Sequence, residues 1–177
     1  TVSAHRVNVT RSPGTRRAAS WPARPSCGGH SQGGGAALWT GGLAHTYAPD
    51  VGVVGVAALA PASDLTRLGD HLDEVLGGSI FASYLVQGYA NAYDDVRVDD
   101  YVRPVARAAF DAVVGRCLSE PSALLSLIGS LTLGNDVFAT DPDSGPLLDR
   151  LRENVPTLPI DAPLLVAQGA DDSLIVP

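Results

Sequence analysis

The chain contains no lysine and no methionine, only two cysteines, and no acidic residue before Asp50. All 12 of its cationic side chains are arginines, a usage that marks GC-rich coding rather than a binding device. Two cysteines, Cys27 and Cys117, cannot build a metal centre alone, which leaves a single disulfide as the one cross-link open to them. Long apolar runs are missing too. The longest, "VGVVGVAALAPA" from Val51, falls far short of the roughly 20 residues that a membrane-spanning helix needs. No stable membrane anchor is therefore expected. No charged-then-apolar secretory leader opens the sequence and no initiator methionine is present, so it reads as a mature form or a piece of a longer protein.

What is there is a composition for folding. With 177 residues, 45% hydrophobic and 18% charged, the chain can bury a core of its own. Charge is divided unevenly. Residues 1–49 carry five arginines and no acid, whereas residues 50–177 carry seven arginines against nineteen acids, giving the net −7. An acidic body argues against a nucleic-acid partner. The arginines of the head follow neither helical nor aromatic order, so no nucleic-acid arm is expected there either.

Along the chain the texture changes near Gly28. Residues 1–27 show no sustained periodicity and are broken by Pro13, Pro22 and Pro25, so they are expected to be an irregular basic head foreign to the fold that follows. "GGGAALWTGGLAHTYA" has small apolar residues at helical spacing. "VGVVGVAALAP" (51–61) predicts a buried strand ended by Pro61. Residues 66–155 recur at helical spacing, with helices expected in "DHLDEVLGGSIFASYLVQGYANAY", "VRPVARAAFDAVVGRCL" and "PSALLSLIGSL". Buried-strand texture returns at Pro163–Ala167, before a Gly-Ala-Asp-Asp turn. Helices between buried strands predict an α/β fold. A helical block this long between two strands exceeds a simple crossover, and a cap insertion is expected instead. The resulting division is a head (1–27), a core (28–65), a cap (66–155) and a return to the core (156–177).

The chemistry concentrates in "CGGHSQGGGAALW". Gly29-His30-Ser31-Gln32-Gly33 is a G-x-S-x-G pentapeptide. A serine hydroxyl needs help to act as a nucleophile, and one solution holds it on a sharp strand-to-helix turn with glycine two residues before and two after. Gln32 would then offer its backbone N–H to an oxyanion at the mouth of the helix. In a chain with 19 glycines the pentapeptide alone carries modest weight. The helix and strand texture that follow it strengthen the reading, while "WPARPSCG" before it shows no leading strand.

"GHSQGGGAALW", "APASDL", "GYANAY" and "IDAPLLVAQGADDSLIVP", in that order, resemble the secretory lipase family of α/β-hydrolases, from about Gly28 to Pro177. The resemblance implies a partial α/β-hydrolase fold with a helical cap. It also implies a Ser–Asp–His triad, action on triacylglycerols and other acyl esters through a serine acyl-enzyme, and a secreted or cell-envelope location. Carried over, Ser31 falls on the nucleophile, Gln32 on an oxyanion donor and Asp172 on the acid. Asp171 and Asp64 are rival positions for that acid. No cofactor and no metal is implied, and the partner is a small lipid or acyl ester.

The base is the open position. The triad order in this fold is Ser, Asp, His, yet the histidines are His5, His30, His45 and His71, and none follows Asp172. None of them is assigned as the base, and a fragment lacking its catalytic histidine is expected. A carboxylesterase or acyltransferase on the same fold, and a non-catalytic acyl-binding fragment, stand as alternatives. "YDDVRVDDY" reads as a solvated acidic loop rather than a metal cluster. Trp39, Tyr84, Tyr89, Tyr93 and Tyr101 read as packing residues before acyl-site linings.

Overall fold

A computed structural model describes residues 25–66, 78–116, 137–172, 174 and 175. The expected helix in "PSALLSLIGSL", Cys117, His5 and His71 lie outside the described residues. Two compact units divide the chain: one runs up to Ser63 and resumes over Pro156–Ile175, the other is Asp64–Val155.

The first unit is built on three parallel strands, β1 (Ser26–His30), β2 (Gly55–Leu59) and β3 (Leu164–Ala167), in the order β1-β2-β3. The register pairs Ser26 with Gly55 and His30 with Leu59, then Val56 with Leu164 and Leu59 with Ala167. Helix α1 (Gln32–Tyr47) makes the crossover from β1 to β2, as a parallel pair requires.

β1 is a correction to the sequence reading, which expected no strand before Ser31 and placed Ser26 and Cys27 in an irregular head. Its residues, Ser-Cys-Gly-Gly-His, have little β propensity of their own. Pairing supplies the order: all five lie in register with β2, and the Val54 N–H donates to the Pro25 carbonyl at 2.9 Å just ahead of the ladder. Pro22 and Pro25 precede the strand rather than interrupt it.

β2 is shorter than the expected 51–61. Pro49–Val51 forms a 3-10 turn, and Gly52, at φ 60°, redirects the chain before the strand begins. β3 departs from its expected burial. Leu164, Leu165 and Val166 are exposed, β3 being one of the two outer strands among the described residues.

α1 carries too much glycine to be a strong helix alone. Packing holds it instead: a Cβ on Gly41 would stand 2.7 Å from Val56 Cγ2, so the helix lies closer to the sheet than any side chain would allow.

The second unit is helical, with α2 (Gly78–Ala92), α3 (Val98–Tyr101), α4 (Arg107–Val114) and α5 (Gly145–Glu153). Val86, Tyr101, Phe110, Leu147 and Leu151 form the centre of its core. Apart from an isolated antiparallel bridge between Val102 and Phe138, it has no β pairing among the described residues. The acidic stretch 93–101 is tied to arginines: Asp95 to Arg150 at 3.0 Å and Asp99 to Arg107 at 2.5 Å. Arg150 also sits 4.8 Å over the ring of Tyr93, which stacks on Tyr89.

Candidate active site

The C-terminal edge of a parallel sheet is where ligands approach an open α/β fold, because the strands end there and loops can diverge. Ser31 occupies that edge, between the last residue of β1 and the first of α1. Its backbone lies at φ 57° and ψ −123°, a combination that residues with a side chain avoid at a cost of about 1–3 kcal/mol. The surrounding hydrogen bonds hold it there. The Ser31 N–H donates to the Leu59 carbonyl at 2.9 Å, and its own carbonyl accepts from Gly34 at 2.8 Å, Gly35 at 3.1 Å and Ala62 at 3.1 Å.

The neighbouring strand ends in the same way. Ala60 follows β2 at φ 41°, the other non-glycine residue with positive φ among those described, and its N–H reaches the Ala167 carbonyl at 2.7 Å. Backbone bonds thus run across the edge from the Ser31 turn to the end of β3.

Gln32 is the first residue of α1, where a backbone N–H has no intrahelical acceptor. The first turn of α1 has no acidic side chain of its own to offset the helix's partial positive charge at its mouth. An oxygen gaining negative charge beside Ser31 would find both the donor and the field.

Asp172 lies beyond β3 in the same unit. Its Oδ1 accepts the N–H groups of Leu174 at 3.0 Å and Ile175 at 2.9 Å, while Oδ2 accepts Gln168 Nε2 at 3.3 Å. These bonds hold the carboxyl below the usual carboxylate range. The Ile175 N–H contributes most and outweighs burial; the Leu174 N–H, Gln168 and the charge of His30 add to it. The group is held as an anion, the state an acid member of a triad needs to orient and stabilise an imidazolium.

The rival acids differ. Asp171 is exposed. Asp64 Oδ1 accepts both the Thr66 N–H at 3.2 Å and the Thr66 hydroxyl at 2.5 Å, which is the work of a helix-start residue. His30 ends β1 and His45 lies in the last turn of α1; both are exposed. Cys27 is partly buried, its thiol directed at the Ala37 carbonyl at 3.7 Å, and burial pushes that thiol up.

The structure therefore places Ser31, Gln32 and Asp172 in one unit, Ser31 and Asp172 in turns beyond the C-terminal ends of β1 and β3 and Gln32 at the start of α1. Sequence reasoning did not single out Gln168. A polar residue closing an apolar strand four positions before the acid was the available signal.

A parallel sheet crossed by α1, with a strained serine where strand becomes helix, makes this an α/β protein of the kind that does chemistry at its strand ends. Residues 22–176 match the family model of the secretory lipases, and the chain belongs to that family. It is a lipase-type hydrolase by family, and the family implies secretion. The match begins before β1, so the last residues of the expected foreign head belong to the family's extent. No curated protein and no solved structure gives a significant match. No helix among the described residues is long and apolar enough to cross a membrane.

Proposed function

We propose that the chain is an esterase module of the lipase type that cleaves carboxylic esters of lipids through an acyl-enzyme on Ser31. The observation that carries this is the strained Ser31 backbone between β1 and the N-terminus of α1. In the proposed reaction the Ser31 Oγ attacks the ester carbonyl carbon as its proton passes to the base, which returns that proton to the departing alcohol oxygen. The carbonyl oxygen becomes an oxyanion facing the Gln32 N–H, and collapse expels the alcohol to leave an acyl-serine. Water then releases the fatty acid. Asp172 is the acid that orients and stabilises the protonated base. By the family resemblance, residues 66–155 are assigned as the cap.

The base is assigned to none of the histidines in this sequence. Without it, nucleophile and oxyanion donor retain only part of the rate: loss of a triad member costs several orders of magnitude. We therefore assign slow turnover to this 177-residue polypeptide. Hydrolysis of chromogenic acyl esters of increasing chain length, by the chain and by Ser31→Ala, tests the reading. Slow release of the chromophore that Ser31→Ala abolishes supports it. Turnover unchanged in Ser31→Ala removes it.

A further inference from the structure

The side chain of Gln168 sits between two oxygens. Its Nε2 donates to Asp172 Oδ2 at 3.3 Å and to the Ile175 carbonyl at 2.6 Å. Both partners can only accept when Asp172 is ionised, so the amide must present its nitrogen and not its oxygen. Gln168 is half-buried and directly follows β3, so its backbone position is set by the sheet. It thus ties the end of a strand to both limbs of the turn that holds Asp172.

The oxygens of Asp172 are not equivalent in this arrangement. Oδ1 receives two backbone N–H groups, from Leu174 and Ile175, which occupy its lone pairs. Oδ2 receives one bond, from Gln168, and retains accepting capacity. Rotation of the carboxyl group about its last torsion would break all three bonds at once.

We propose that Gln168 is the positioning residue for Asp172, fixing its carboxyl plane so that Oδ2 is the oxygen presented to the base. The inference rests on the triad reading of Ser31 and Asp172 given above. It also explains a choice of residue type: glutamate has the same shape as glutamine, but would set a carboxylate against a carboxylate and a carbonyl.

The test is a carbon-13 titration of the Asp172 carboxyl, its signal identified by comparison with Asp172→Asn. It is run on the full chain and on Gln168→Leu and Gln168→Glu, each verified as folded by its amide spectrum. Loss of the donor in Gln168→Leu should give a roughly fivefold gain in the carboxylate's proton affinity. Gln168→Glu should give a larger gain through like-charge repulsion. A side chain that merely fills space predicts the same titration in the parent and in Gln168→Leu. Identical titrations in the parent and Gln168→Glu, or in the parent and Gln168→Leu, overturn the assignment. Fluorophosphonate labelling of Ser31 in the same parent sample reports on the hydrolase reading separately. An unshifted titration with a Ser31 adduct removes Gln168 alone. A shifted titration with no adduct even when imidazole is added supports the Gln168 contact and removes the triad.

Discussion

A Cβ on Gly29 would lie 2.1 Å from the Gly33 carbonyl oxygen, whereas a Cβ on Gly33 would meet nothing within 4 Å. The glycines of G-x-S-x-G therefore do different work. Gly29 allows the strand and the first turn of α1 to fold back on one another, and Gly33 leaves open space. Gly29→Ala should force the turn apart and destabilise the unit by about 2 kcal/mol or more, with loss of Ser31 reactivity. Gly33→Ala should be neutral or up to about 1 kcal/mol stabilising through helix propensity. Urea unfolding of the two variants checks the asymmetry, and equal losses would contradict it.

The helical unit depends on one phenol. The Tyr101 hydroxyl accepts the Leu147 N–H and donates to the Ser144 carbonyl, both at 3.0 Å, while its ring is 2% exposed. It thus satisfies a backbone donor at the start of α5 that no helical carbonyl reaches. Tyr101→Phe keeps the shape and should cost about 1–3 kcal/mol by leaving those groups unpaired. The loss should appear as a lower urea midpoint with the slope retained.

Stability should respond to pH at both ends. The carboxyls of Asp172 and Asp95 are held below their ordinary range, Asp172 chiefly by the Ile175 N–H and Asp95 chiefly by Arg150. A depressed folded value means the unfolded chain binds the proton first. The stability is therefore present above the ordinary carboxylate range of about 4 and is lost as pH falls through the folded values. Asp172→Asn and Asp95→Asn should each flatten the acid limb of a urea-midpoint profile.

At the alkaline end Tyr89 is pushed up to about 12, mainly by burial and then by Tyr93. Its contribution is complete below the ordinary tyrosine value of about 10 and declines as pH rises through the folded value. Ultraviolet titration should show a late tyrosine component that Tyr89→Phe removes.

The serine turn of the candidate site was legible because chemistry forces its residue types: a serine flanked by glycines at fixed spacing can be found without coordinates, and so can α1. Asp172 was singled out only through the resemblance to the secretory lipases. β1 was not legible, since Ser-Cys-Gly-Gly-His has no strand signature and takes its order from pairing with β2. The start of β2 was misplaced because Val51 and Val53 look like strand residues, and only Gly52 at φ 60° shows where the chain turns. Exposure of β3 was hidden for a related reason: Leu-Leu-Val-Ala reads alike at the centre and at the edge of a sheet. Gln168 was not singled out because its role lies in two contacts across a turn, and its place at the end of an apolar strand was the one available signal.

The functional reading stands or falls on Ser31 as the nucleophile, with its base assigned to none of the histidines in this sequence. Site-resolved mass spectrometry after fluorophosphonate treatment, with and without added imidazole as a substitute base, tests it most directly. One adduct is expected, on Ser31, formed slowly, accelerated by imidazole and absent from Ser31→Ala. No adduct on Ser31 with imidazole present, or adducts spread over other serines to the same extent, would contradict it.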